Sequence, residues 1–205
     1  MTGHPPPSAR IAAAGLALVC LTGLGIQTAV STAANGSLPA ALWAMLRFFT
    51  IISNLLTLAL FAAIALGRPG AFAPRRLAGI AVIMGLVGIV SATLLRGIEH
   101  LAGAAQAANL IMHDIVPLLV ALYWLAIAPK GYLRPSDPVR WALIPVAYLP
   151  YALLRAALDG RYAYPFIDAA RLGWPQVGLN ALGLAVAFLL AGWALVWLDR
   201  RLARL

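Results

Sequence analysis

Polar side chains interrupt a stretch that is otherwise apolar and long enough to cross a bilayer, LWAMLRFFTIISNLLTLAL. Four of them recur at i, i+3, i+7 and i+10, the spacing that places side chains on one face of an α-helix. They are Arg47, Thr50, Asn54 and Thr57. Lipid cannot solvate such groups, so this face is expected to point to a bundle interior or a wet cavity.

A histidine lies at a similar depth in another apolar segment. His113 shares a helical face with Asn109 and Pro117. With a rise of 1.5 Å per residue, Thr50 lies roughly 12 Å and His113 roughly 9 Å below the outer ends of their spans. We therefore expect an outward-opening polar pocket lined by the two faces. Such groups can bind a polar ligand or support nucleophilic catalysis, and the spacing alone leaves both open.

Further polar residues fall in the same outer third of the other spans, whereas the inner halves are almost free of them. They are Arg96, Asp114, Tyr151, Arg155, Gln176 and Asn180. This shared depth indicates a site at the outer end of the bundle.

Each candidate also has a purely structural interpretation. A threonine in a membrane helix often returns its hydroxyl to the carbonyl one turn back, and Asn54 can bridge two helices. His113 can be a packing residue, and Asp114, about 100° away around the helix, can pair with an arginine. Arg47 and Arg96 can extend to the interface.

The composition is that of a membrane protein. Of 205 residues, 63% are hydrophobic and 10% are charged, and the mean hydropathy is +0.91. A soluble domain of this size cannot bury so much apolar surface, whereas repeated runs of about 20 apolar residues span a hydrocarbon core. The net charge of +9 is attributed to loop arginines that set orientation, so no nucleic-acid partner is expected.

Six spans are expected, separated by segments rich in Gly, Pro and polar residues. Their approximate bounds are 10–30, 42–66, 77–95, 107–128, 141–158 and 174–198. They predict an all-α fold, a six-transmembrane-helix bundle forming a single integral membrane domain over residues 1–205. Most Lys and Arg residues fall on the side of the two termini, which predicts cytoplasmic termini. The alanine- and arginine-rich composition favours a bacterial inner membrane.

Other chemistries lack their sequence signatures. The chain contains no Walker loop, GxGxxG, HExxH or GxSxG motif. Glu99 and His100 could join His113 and Asp114 at a metal, but the histidines lack i, i+4 spacing, so neither a metal nor another cofactor is expected. A proton-coupled transporter would place carboxylates at mid-membrane, whereas Asp114 lies near the outer end.

Several motifs resemble the bacterial six-pass "Pr-six-Pr" membrane proteins. The matching stretches are RFFTIISNLL, LLRG, MHDIVPLLVALYW, PKGYLR, WALIPVAYLPYALLR, GRYAYPFID and RLGWPQVGLNALGL. The resemblance covers about residues 10 to 200. Two positions depart from the family pattern: Ser91-Ala92 replaces a Tyr-Asn pair, and Ala163 replaces a proline.

That family is distantly similar to the eukaryotic androgen-induced membrane hydrolases, which cleave fatty acid esters of hydroxy fatty acids with an intramembrane threonine and histidine. The resemblance implies Thr50 as the nucleophile and His113 as the base, acting on a membrane lipid or acyl ester through an acyl-enzyme. Residues expected to support substrate or oxyanion are Arg47, Asn54, Arg96, Asp114, Tyr151, Arg155 and Asn180.

Two other classes of function remain at this stage. A non-catalytic binding or transport protein would hold a small or anionic ligand through Arg47, Arg96 and Arg155, with Thr50 turned to its own backbone. A purely structural membrane protein is the third class. A hydrolase should instead place Thr50 within hydrogen-bonding distance of His113, beside a tunnel that is open to lipid.

Overall fold

The computed structural model describes residues 5–97 and 101–204, and most of these residues are helical. Neither range contains a β-strand. The α-helices are α1 (Pro7–Asn35), α2 (Leu38–Met45), α3 (Phe49–Ala65), α4 (Pro74–Val90), α5 (Gly103–Leu110), α6 (Val116–Ala126), α7 (Asp137–Asp159), α8 (Ala169–Leu172) and α9 (Trp174–Leu202). Two π-helical segments, Ser91–Leu95 and Ile111–Ile115, continue α4 and join α5 to α6, and a 3-10 turn covers Pro165–Ile167.

The helices have the length and hydropathy of a multi-pass membrane protein. Five are long and apolar enough to span a membrane, or six when the bent pair α2–α3 is taken as one span. The five are Pro7–Asn35, Pro74–Leu95, Gly103–Ala126, Asp137–Asp159 and Trp174–Leu202. The predictions of an all-helical fold and a multi-pass membrane protein are confirmed at this level.

The predicted single helical face carrying Arg47, Thr50, Asn54 and Thr57 is wrong, because the helix is broken before Thr50. Helices α2 and α3 meet at an angle of 100°, with a break between Met45 and Phe49. Phe48 is extended, with φ −89° and ψ 132°. Thr50 therefore lies in the first turn of a new helix, and Arg47 lies in the break rather than on the face that carries Asn54.

Glycines bring two helices close to the segment that carries His113. A Cβ on Gly23 of α1 would lie 2.7 Å from Ile111 Cγ2, and one on Gly88 of α4 would lie 3.4 Å from the His113 carbonyl oxygen. Small residues permit such close approach between membrane helices. The second π segment is consequently clamped from both sides.

The end of the bundle far from Thr50 is held by polar contacts between helices. Arg10 Nε donates to the Ala65 carbonyl at 3.0 Å. Arg75 pairs with Asp137 at 3.2 Å. The carboxylate of Asp199 accepts the backbone N–H of Leu133 at 3.0 Å. We call the region around these contacts the basic end of the bundle.

Candidate active site

Thr50 and His113 are in direct contact. Thr50 Oγ1 lies 3.0 Å from His113 Nε2, and His113 Nδ1 lies 3.1 Å from the Asn109 carbonyl oxygen. A carbonyl only accepts, so Nδ1 carries the proton and the neutral ring presents an unprotonated Nε2. The Thr50 hydroxyl therefore donates to Nε2, the arrangement in which a hydroxyl nucleophile faces its base and a third group orients that base.

Other threonines in the spans behave differently from Thr50. Their hydroxyls donate to the carbonyl four residues back in their own helix. They are Thr22, Thr28, Thr57 and Thr93. For Thr50 the equivalent acceptor is the Leu46 carbonyl, which lies beyond the helix break and accepts the Tyr151 hydroxyl at 2.9 Å. The break thus frees the Thr50 hydroxyl to face His113.

The second π segment positions His113. Its wider turn is marked by the bond from the Val116 N–H to the Ile111 carbonyl, five residues back. Single π turns inside α-helices are often found at functional sites. The first π segment, Ser91–Leu95, lines the same cavity as His113. The sequence pattern gave no sign of either segment.

Asn54 bridges the two helices of the pair. Its Nδ2 donates to the Thr50 carbonyl at 2.9 Å and to the Met112 carbonyl at 3.3 Å. Both amide hydrogens are therefore engaged, so Asn54 cannot also be the oxyanion donor expected from the sequence. It fixes Thr50 and the segment of His113 relative to each other, one helical turn below the contact.

Arg47 and Arg155 stabilise the helix break. Arg47 forms an ion pair with Asp159, and Arg155 lies 4.0 Å from the same carboxylate. Arg155 also donates to the Trp43 carbonyl. These arginines therefore stabilise the break and the neighbouring helix end, and a role of Arg47 as oxyanion donor stays a prediction.

Two tyrosines complete the hydrogen bonding of the break. Tyr148 donates to the Arg47 carbonyl at 2.7 Å, and Tyr151 donates to the Leu46 carbonyl. Unpaired carbonyls at a helix end are costly inside a membrane unless side chains satisfy them. Helix α7 thus supplies the donors that make a break tenable at this depth.

The remaining predicted site residues lie around the site rather than at Thr50. Arg96 pairs with Asp114 at 2.8 Å, and its side chain is 66% exposed. Asn180 donates to the Phe166 carbonyl at 2.8 Å and so ties the 3-10 turn to α9. Asp114 thus pairs with an arginine, as its structural interpretation anticipated.

Tyr164 is a site residue outside the set that was expected from the sequence. Tyr164 is buried, and its hydroxyl lies near Thr50 and Phe49. Burial raises the pKa of Tyr164, and the hydrogen bonds with Thr50 and Phe49 oppose that rise. The phenol remains a protonated donor at neutral pH. Its position in the YPFID loop was visible in the sequence, but its burial was not.

Two cavities meet at Thr50. One, of about 360 Å³, is almost wholly apolar and lies between α4, α7 and α9. The other, of about 490 Å³, is more polar and includes Gln106 and His113 in its wall. Thr50, Leu95 and Tyr164 line both. A molecule with its apolar part in the first cavity and its polar part in the second would therefore place the bond between the two parts next to the Thr50 hydroxyl.

The described ranges hold no group of three or more His, Cys, Asp or Glu side chains that could bind a metal ion. Glu99 and His100, considered above as ligands, lie outside those ranges.

The chain has no significant match among protein-family models, curated proteins or solved structures.

Proposed function

We propose that the protein is an intramembrane hydrolase of lipid or fatty-acid esters, with Thr50 as nucleophile and His113 as base. The observation that carries this proposal is the 3.0 Å contact between Thr50 Oγ1 and His113 Nε2, at the place where an apolar and a polar cavity meet. A lipid ester has the same division, with an apolar acyl chain on one side of the carbonyl and a more polar alcohol on the other.

The reaction would proceed in two steps. Thr50 Oγ1 attacks the ester carbonyl carbon while His113 Nε2 takes the hydroxyl proton. The tetrahedral intermediate collapses to a threonyl ester, and the imidazolium returns the proton to the departing alkoxide. A water molecule, deprotonated by His113, then cleaves the threonyl ester and releases the carboxylic acid, which restores the Thr50 hydroxyl.

The start of α3 supplies donors for the oxyanion. The first N–H groups of a helix have no acceptor inside it, and they carry the positive end of the helix dipole. The N–H groups of Phe49 and Thr50 lie at this helix start beside the Tyr164 hydroxyl, and together they are the proposed donors to the carbonyl oxygen. Preorganised donors of this kind stabilise the charge that develops on the carbonyl oxygen.

The arrangement of the arginines weighs against a binder of anionic ligands. Such a protein would direct Arg47, Arg96 and Arg155 toward a shared pocket. Instead Arg96 pairs with Asp114, while Arg47 and Arg155 lie around Asp159. Each of these arginines thus has a carboxylate partner within the protein, with Arg47 and Arg155 sharing that of Asp159.

We further propose a six-span topology in a bacterial inner membrane, with both termini in the cytoplasm. Its support is the clustering of arginines at the basic end, which contains both Arg10 and Arg75, because cytoplasmic loops carry an excess of Lys and Arg. Single cysteines introduced at Arg10 and Arg161 in a Cys20→Ser background should react with impermeant maleimide from opposite sides. Labelling of both from one side would contradict this topology.

Labelling by a fluorophosphonate probe tests the catalytic assignment. The Thr50→Ala protein should lose both labelling and ester hydrolysis, because it lacks the nucleophilic oxygen. Thr93→Ala is the matched control, since the Thr93 hydroxyl bonds to its own helix at 2.7 Å, and it should retain both. Hydrolysis at the wild-type rate by Thr50→Ala would refute the proposal.

A further inference from the structure

The apolar cavity beside Thr50 opens sideways between two helices. Val146 of α7 and Leu182 of α9 both line it, and they are 56% and 61% exposed. Outward faces of transmembrane helices lie in hydrocarbon. The opening between α7 and α9 therefore leads into the bilayer rather than into water.

The two helices converge below this opening. A Cβ on Gly192 of α9 would lie 2.8 Å from the Cβ of Pro138 in α7, so the helices touch there. Trp193 Nε1 adds a hydrogen bond to the Pro135 carbonyl at 3.1 Å. Near Thr50, Phe166 and Ile167 of the 3-10 turn occupy the space beside the same helices and line the cavity. The α7–α9 cleft is the space between α7 and α9 that lies between the Gly192–Pro138 contact and the 3-10 turn.

The cleft has a definite length. On α9 its lining runs from Ala181 to Leu189, a distance of about 12 Å at 1.5 Å per residue. An extended chain with C–C bonds of about 1.5 Å fits roughly eight to ten carbons into that distance. Small side chains, Ala142 and Ala185, keep its lower part open.

We propose that the α7–α9 cleft binds the acyl chain of a membrane lipid ester, which enters sideways from the bilayer and places its carbonyl at Thr50. The apolar lining, the lateral opening and the position of the Thr50 hydroxyl at the head of the cleft all fit this occupant. Because the cleft is open at its side, carbons beyond about the tenth remain in lipid. The inference rests on the proposed hydrolase function and specifies its acyl site.

The proposed site predicts that ester turnover rises with the length of the acyl chain and then levels off. With methylumbelliferyl esters in proteoliposomes, turnover should increase from acetyl to decanoyl and show no further gain at palmitoyl. A continued rise to palmitoyl at the decanoyl-to-acetyl slope would overturn the proposed length of the site.

A matched pair of substitutions tests the cleft itself. Ala185 lines the cavity, whereas Ala187, two residues further along α9, is exposed on the outside. In Ala185→Phe, turnover of the decanoyl ester should fall about tenfold relative to that of the acetyl ester, because the ring fills the cleft. Ala187→Phe should keep the wild-type ratio. Equal ratios in the two variants would overturn the proposal, and retained acetyl turnover shows that Ala185→Phe is folded.

Crosslinking separates this inference from the proposed function. A decanoic ester that carries a terminal diazirine should label peptides of α7 and α9 in Thr50→Ala, and Ala185→Phe should abolish that labelling. If Thr50→Ala hydrolyses esters normally while the labelling pattern holds, the hydrolase proposal fails and the acyl site stands. If labelling lies elsewhere while Thr50→Ala is inactive, the acyl site fails and the hydrolase stands.

Discussion

The two ends of the bundle both contain buried polar side chains, but they use them differently. At the basic end, Asp137 and Asp199 are 1% and 0% exposed, and their carboxylates accept backbone N–H groups or pair with arginine. Lys130 donates to two carbonyls near the end of α6, and burial lowers its pKa while Asp199 opposes that change. At the other end, the hydrogen bond between Thr50 and His113 lies beside two cavities.

The comparison shows that burial of a polar group does not by itself mark a site. The carboxylates at the basic end are as deeply buried as Asn54 at the other end, yet their bonds satisfy loops and helix ends. What distinguishes the other end is the hydrogen-bonded pair of Thr50 and His113, which lies between two cavities. Substitutions should therefore reduce catalysis at one end and stability at the other.

The largest effect is expected at His113. His113→Ala removes the proposed base and should lower kcat for ester hydrolysis by about a thousandfold or more, as loss of the base does in comparable nucleophile–base pairs. Gln106→Ala, which alters the same polar cavity, should stay within a few-fold of wild type. Steady-state kinetics on the purified protein measures kcat for both variants. A near-normal kcat in His113→Ala would contradict the assignment of catalysis to this end of the bundle.

The next largest effect is expected at Tyr164. Tyr164→Phe removes a proposed oxyanion donor and keeps the ring, so kcat should fall by about a hundredfold. Since the donor acts on the carbonyl oxygen, acetyl and decanoyl esters should lose equally. A selective loss with the decanoyl ester would instead indicate that Tyr164 contacts the acyl chain.

At the basic end the effect should appear in stability. Asp199→Ala leaves the buried Leu133 N–H without its acceptor, which should lower the free energy of unfolding by about 1–3 kcal/mol. Denaturant unfolding in detergent measures this loss. Titration with the fluorophosphonate probe counts the folded molecules, and kcat divided by that count should be unchanged. A fall in this normalised kcat would link the basic end to catalysis.

The smallest effect is expected at Arg96. Its pairing with Asp114 is largely exposed, so Arg96→Gln should change the free energy of unfolding by no more than about 1 kcal/mol. Ester hydrolysis should stay within a few-fold of wild type. Loss of hydrolysis comparable to that of His113→Ala would place Arg96 in the catalytic machinery.

Hydropathy was sufficient to locate most of the spans, because transmembrane helices must satisfy their backbone internally and face lipid with apolar side chains. It could not locate the break before α3, since Leu46, Arg47 and Phe48 include neither Gly nor Pro. The break depends on donors from α7, which a local pattern does not contain. The depth argument brought Thr50 and His113 to the same level although it rested on a straight helix.

The roles of the neighbouring residues were harder to foresee. Spacing placed Asn54 on the face of Thr50, but its two carbonyl acceptors lie on different helices. Tyr164 is distant in sequence, and its approach to Thr50 depends on the fold of the loop after α7. Such assignments require tertiary structure because the partners of each donor are set by packing between elements.

The second π segment has a consequence for how this span tolerates change. A π turn accommodates one more residue than an α turn, so the helix before it and the helix after it are out of phase. Removing any single residue from Ile111–Ile115 would restore a regular helix and turn one half of the span by about 100°. The deletion would scarcely change the hydropathy or the length of the span. It would nevertheless rotate either His113 or the buried face of α6 out of the bundle.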